Sequence, residues 1–273
     1  MKFGISLIMN FSNISTISDF LQYATDKQFK VVELVAEPPF CFLGNFDSLQ
    51  RSAIKKEAAD LGLELTVHAT FSDINIAAFN PHIREASQNI VLKSIDFASD
   101  IDASIVTIHP GELSAGGAYY PEIVIENNRI ALNNFAEYAK TKNIRIGYEN
   151  FPLLPWNQFE DGYSPYKIKD LIQMINNENL GITWDIGHSN TTNFKMNEFF
   201  DCFKEHLFHL HFHDNNGPTN GWTDTHSEVG SGTIDWQELL TFLKSINYQD
   251  SIIFELDSKE KIENSFNYIQ SLY

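Results

Sequence analysis

The chain has 273 residues, 43% hydrophobic and 20% charged, which suits an ordinary soluble globular protein with room for a large core. Its formal charge of −17, from 36 acidic and 19 basic residues, repels phosphate backbones on average and argues against extended nucleic-acid binding. Cys41 and Cys202 are too few and too far apart for a disulfide framework or a cysteine zinc site, and fit a reducing cytoplasm.

The first strand is expected at 3–8. Residues 1–13 hold one lysine, a short apolar stretch and no small-residue cleavage site, so they read as that strand and not as a signal peptide. No run approaches the roughly 18 apolar residues that suggest a membrane span. From there, short β-rich apolar runs alternate with segments of helical period. A helix near 16–27 precedes a strand at 31–35, which carries Glu33. A helix near 47–60 leads to a strand at 63–68, and one near 82–100, with Pro81 suited to its first turn, leads to a strand at 105–109. Then come a helix at 121–141, a strand at 144–149, a helix at 165–177, a strand at 181–185, a helix at 195–204 and a strand at 208–212. The last unit is a helix at 235–246, opened by the capping-box pattern Asp235-Trp-Gln-Glu238, a strand at 252–255 and a helix at 259–271. Alternating βα units imply a parallel sheet, and eight of them imply one (β/α)₈ barrel over residues 1–273. The loops 111–121, 151–165 and 214–234, rich in Gly, Pro and aromatics, then form its mouth.

Each strand from the third onward ends in a metal-type ligand. The ends read Thr-Val-His68, Thr-Ile-His109-Pro-Gly, Gly-Tyr-Glu149-Asn, Thr-Trp-Asp185-Ile-Gly-His188, His209-Leu-His211-Phe-His213-Asp214 and Ile-Phe-Glu255. In a parallel barrel all of these face one rim. One such residue alone is more often a satisfied structural side chain. Six on adjacent strands converge, and clustered buried carboxylates need a cation. Imidazole and carboxylate without thiolate suit Zn²⁺, Mn²⁺, Co²⁺ or Fe²⁺. Asp224-Thr-His226 adds a further pair on the loop over the mouth.

These stretches, with His68-Ala-Thr-Phe-Ser-Asp-Ile-Asn-Ile-Ala and Gly230-Ser-Gly-Thr-Ile-Asp235, resemble the endonuclease IV and xylose isomerase-like TIM-barrel superfamily over nearly the whole chain. The resemblance to endonuclease IV implies up to three zinc ions: one on His68, His109 and Glu149, a second on Asp185, His211 and Glu255 with Glu149 bridging, and a third on His188, Asp224 and His226. It implies hydrolysis of a phosphodiester in duplex DNA with an abasic site. The resemblance to sugar isomerases and epimerases implies one ion on Glu149, Asp185, His211 and Glu255, with Glu149 and Glu255 as acid and base on a small sugar or sugar phosphate. Zinc is the first expectation, with manganese or cobalt as alternatives.

Several departures favour the small substrate. His211-Phe-His-Asp-Asn stands where the endonucleases have His-Leu-Asn-Asp-Ser, Ser72 follows Phe71 where an intercalating pair is expected, and the charge is −17. The ketose epimerases' arginine after the seventh strand is missing as well, since Asn215-Asn-Gly-Pro stands there. The expectation is therefore an isomerase or epimerase, with the phosphodiesterase and a non-catalytic metal-binding barrel as alternatives. Phe71, Trp156, His188 and His213 are expected to touch substrate. Phe151, Trp156, Phe159 and Tyr163 either stack on a sugar ring or pack their loop. His209 is expected inside the barrel, and Arg84 on an exposed helix surface.

Overall fold

The computed structural model describes residues 1–153, 159–218 and 223–272. Eight parallel strands close into a barrel in the order β1 to β8, with β1 pairing both β2 and β8. They are β1 Lys2–Leu7, β2 Val31–Val35, β3 Glu64–His68, β4 Ile105–Ile108, β5 Arg145–Glu149, β6 Leu180–Asp185, β7 Leu207–Phe212 and β8 Ser251–Phe254. The helices are α1 Ile17–Asp26, α2 Ser48–Leu61, α3 Pro81–Asp100, α4 Pro121–Lys140, α5 Glu160–Tyr163, α6 Pro165–Ile175, α7 Ile186–Asn190, α8 Met196–Phe203, α9 Trp236–Ser245 and α10 Lys259–Ser271. Among the described residues no helix is long and apolar enough to cross a membrane.

Strand alternation divides the chain's chemistry. Along β6 and β7 the residues Thr183, Asp185, His209 and His211 share the inner face, while Trp184, Leu210 and Phe212 share the outer one. Outside, Trp184 meets the rings of Phe199, Phe200 and Phe203 on α8 at 6.2, 5.6 and 5.7 Å. Inside, Thr107 and Thr183 share a hydrogen bond of 2.9 Å beside Gly147. A Cβ on Gly147 would lie 2.1 Å from Thr183 Oγ1, so the interior is full there. Gly147→Ala is expected to cost about 1–3 kcal/mol through overpacking, read as a lower urea midpoint; an unchanged midpoint contradicts this.

The helix ends follow their sequence signals. Asn80 accepts from His82 N at 3.0 Å ahead of Pro81, and Asp235 accepts from Glu238 N at 2.9 Å. A reciprocal capping box at Asp47 and Gln50 starts α2; its Asp-Ser-Leu-Gln pattern stands in the sequence but was not singled out there. Helix α6 stops two residues before its expected end because Asn176 turns left-handed, at φ 50°. The short α5 lies inside the loop expected at 151–165, and α7 lies between the expected strand 181–185 and helix 195–204, where no element was expected. Arg84, expected on an exposed surface, is half-buried and donates to Ala78 O at 2.8 Å.

Candidate metal centre

The strand ends deliver the polar residues to one rim. His68, Glu149 and Asp185 are the last residues of β3, β5 and β6, while His109 and Glu255 lie one residue beyond β4 and β8. Asp185 also starts α7, since its carboxylate accepts from His188 N at 2.7 Å; this turns His188 back toward the rim. Asp224 and His226 arrive on the loop after β7. That loop is fastened by paired backbone bonds between Asp214 and Ser227, both 2.9 Å. The buried Asp214 carboxylate accepts from Gly230 N at 2.9 Å and Trp236 Nε1 at 2.8 Å. Trp236→Phe removes a donor to a buried charge and is expected to cost about 1.5–3 kcal/mol, seen as a lowered melting temperature; no change means the fastening does not depend on it.

The nine expected ligands gather into three adjoining groups. In the first, His68 Nε2 lies 3.0 Å from Glu149 Oε2 and 3.1 Å from His109 Nε2, and His109 Nε2 is 3.0 Å from the same Glu149 oxygen. In the second, His211 Nδ1 lies 2.8 Å from Glu149 Oε1, 3.5 Å from Glu255 Oε2 and 3.9 Å from Asp185 Oδ2. In the third, Asp224 faces His188 Nε2 at 3.5 Å and His226 Nε2 at 3.4 Å. His213 joins this last group, 3.7 Å from Asp224 Oδ1 and 3.0 Å from Asp185 Oδ1.

The donor set fits divalent ions. A carbonyl oxygen only accepts, so three histidines have their tautomer fixed by the backbone. His68 Nδ1 donates to Ala69 O at 2.9 Å, His188 Nδ1 to Asn150 O at 2.8 Å and His226 Nδ1 to Glu255 O at 3.0 Å. Each neutral ring then turns a bare Nε2 toward a carboxylate oxygen, and His68 also toward a second imidazole nitrogen. Acceptors meeting acceptors require a proton or a cation between them. Metal-binding histidines are commonly oriented in this way. Asp224 Oδ1 and His213 Nδ1 are also buried without a hydrogen bond. The donors are nitrogen and oxygen, and Cys41 and Cys202 are buried apart from these groups.

The electrostatics point the same way. Burial pushes Glu149 up, but His211 and His109 together hold it well below the ordinary carboxylate range. Burial likewise acts against ionised Asp224, and His188 and His226 overcome it. Burial disfavours a charged His68, yet chiefly Glu149 raises it to about 9; His226 is raised against burial, chiefly by Asp224, to about 10. For His109 burial prevails and its value falls. Without an ion, protons on the histidines balance the buried carboxylates, a task a divalent cation can take over.

A cavity of about 530 Å³ opens onto these groups, reached by His68, His109, His188, Asp224, His226 and Glu255. Its walls are largely apolar, with Ile8, Val35, Phe71, Ile74, Phe151 and Pro152 among them, and no described lysine or arginine lines it. Phe71 and Phe151 flank His109, at 4.8 and 4.7 Å between ring centroids. Phe159 instead is buried with Ala77 and Val124, packing its loop. Trp156 lies outside the described residues. His213, expected against substrate, is fully buried and absent from the described cavity lining; it bonds to Asp185 instead. Its ring fits because Gly187 has no side chain: a Cβ there would come within 2.0 Å of His213 Cε1. Met9, Asn10, Glu112 and Asp257 also line the cavity and were not singled out from sequence. Asp257 stands two positions beyond Glu255, the spacing that could have drawn attention to it.

A family model described as xylose isomerase-like TIM barrel matches residues 21–272. An uncharacterized protein of Methanocaldococcus jannaschii is 31% identical over 261 residues, covering 93% of this chain and 83% of that protein. The probable endonuclease 4 of Staphylococcus carnosus is 26% identical over 187 residues, covering 64% of this chain and 60% of that protein. The crystal structure of a D-tagatose 3-epimerase-like protein matches with a TM-score of 0.85 at 28% identity, covering 100% of this chain and 97% of the other. A D-psicose 3-epimerase from Clostridium cellulolyticum, solved with D-tagatose, matches at 0.80 and 16% identity over 100% of this chain and 99% of the other, a likeness of fold.

Proposed function

We propose, since this chain belongs to the xylose isomerase-like TIM barrel family, that it is a metal-dependent isomerase or epimerase of a small sugar. One observation carries this reading. Glu149, Asp185, His211 and Glu255 converge beneath a cavity of about 530 Å³ whose described lining has apolar walls and no lysine or arginine. That volume suits a small molecule. The lack of a cationic side chain among the described lining residues favours an uncharged sugar over a sugar phosphate.

A divalent ion held by those four residues, zinc first and manganese or cobalt as alternatives, supplies Lewis acidity toward a carbonyl and its neighbouring hydroxyl. On the resemblance we assign Glu149 and Glu255 as the acid and base that move a proton at the carbon beside the carbonyl; Glu255 lines the cavity, whereas Glu149 is buried beneath it against His68, His109 and His211. Phe71 and Phe151 line the cavity, where they can pack against the sugar's apolar side and exclude water. His188 lines the cavity, where a substrate hydroxyl can meet it.

A specific observation favours a second reading. His68 and His109 on one side, and His188, Asp224 and His226 on the other, complete the ligand set that the endonuclease resemblance implies. A sugar epimerase needs one ion; a phosphodiesterase of that kind uses all three groups. The test loads the protein with Zn²⁺ or Mn²⁺ and follows ketoses and aldoses by chromatography. Epimerisation lost in Glu255→Gln and retained in His109→Ala supports the first reading. Nicking of a duplex with one abasic site, lost in His109→Ala, overturns it in favour of the second.

A further inference from the structure

Glu33 is a fully buried carboxylate to which the proposed reaction assigns no role. It lies inside the barrel on β2. Four side chains converge on it: Ser6 Oγ at 3.2 Å, Thr66 Oγ1 at 3.4 Å, His209 Nε2 at 3.1 Å and His211 Nε2 at 3.2 Å. Behind His209, Nδ1 meets Ser251 Oγ at 2.6 Å. A buried anion is costly unless its oxygens are filled with donors.

His211 is the exception among the histidines with a fixed tautomer. His68, His188 and His226 give Nδ1–H to a backbone carbonyl and present Nε2. His211 presents Nδ1 to Glu149 and Glu255, and its Nε2 faces Glu33. We propose that Glu33 is the positioning residue of the metal centre: it accepts Nε2–H of His211, leaving Nδ1 bare and aimed at the ion. The inference rests on metal binding by Glu149, Asp185, His211 and Glu255, and holds for either reaction above.

An amide does not replace this carboxylate. Glu33 uses two oxygens to receive four donors, whereas glutamine turns an NH₂ toward at least one of them. Serine and threonine hydroxyls can rotate to accept, but an imidazole N–H cannot. Loss of a partner that orients a metal-bound histidine commonly weakens the metal 10–100-fold.

The experiment needs no substrate. Metal-free wild type and Glu33→Gln are titrated with Zn²⁺ and with Co²⁺, whose visible spectrum reports the donor geometry. The expected result is weakening of about 10–100-fold in Glu33→Gln with an altered Co²⁺ spectrum, alongside a lower melting temperature of the metal-free variant from the donors left unsatisfied. Unchanged affinity and spectrum, or a loss of metal-free stability alone, would make Glu33 a structural residue and overturn the proposal. Long-range ¹H–¹⁵N spectra of zinc-loaded wild type supply a reading that requires no variant. A proton on His211 Nε2 supports the proposal, and one on Nδ1 contradicts it. A protein that binds no ion at all contradicts both the metal-centre reading and this inference, whereas normal binding by Glu33→Gln contradicts only the latter.

Discussion

Glu149→Gln is expected to lower turnover by about 10²–10⁴-fold, the usual contribution of a positioned acid or base, and to weaken metal binding as well. Both its oxygens are committed. Oε2 faces His68 and His109 at 3.0 Å, and Oε1 faces His211 at 2.8 Å. Glutamine keeps the volume and offers one oxygen and one NH₂. Turned toward His68, that NH₂ can donate to a neutral Nε2 but cannot pair with a protonated one. Metal-free wild type holds a protonated His68 against the Glu149 carboxylate, a pairing that the variant loses, so the metal-free variant is expected to melt somewhat lower than metal-free wild type at neutral pH. Turnover and two melting curves check this. Near-normal turnover in the variant would remove Glu149 from the chemistry, and a large loss of metal-free stability would show that it serves mainly the fold.

Chelation is expected to have the second large effect. Full removal of the ion should abolish turnover, and re-addition of Zn²⁺ or Mn²⁺ should restore it. The same treatment should destabilise the protein. A ligand present at a hundred times its dissociation constant contributes about 2.7 kcal/mol, and each kcal/mol moves the midpoint of a protein this large by roughly 2–4 °C. The melting temperature should thus fall by about 5–10 °C. Carboxylates left without a cation, Glu149, Asp185 and Glu255, set the direction of the shift. Equal melting with and without chelator would show that the folded protein binds no ion there.

The barrel was legible because the hydrophobic period switches eight times, and a run such as Val31-Val-Glu-Leu-Val35, buried at every position, reads plainly as a parallel strand. Strand-end residues were legible for a geometric reason: a parallel barrel collects every C-terminal end at one rim, so His68, His109, Glu149, Asp185 and Glu255 could be placed together without coordinates. Other features carry no sequence signature. The carbonyls of Ala69, Asn150 and Glu255 fix three histidine tautomers, and any residue has a carbonyl. His213 shares the alternation of His211 and looks equally available, but the absence of a side chain on Gly187 lets its ring sink behind Asp185. Glu33 was visible as an acid within an apolar strand. Its partners come from β1, β3 and β7, brought together by closure of the barrel.

Exchange of substrate hydrogen with solvent tests the central claim most directly. Metal-loaded protein is incubated in D₂O with a panel of small ketoses and aldoses, and deuterium at the carbon beside the carbonyl is followed by NMR. The account predicts deuterium at that carbon, lost in Glu149→Gln and in Glu255→Gln and kept in His109→Ala. No exchange in any sugar by folded, metal-loaded protein that nicks an abasic duplex would contradict it.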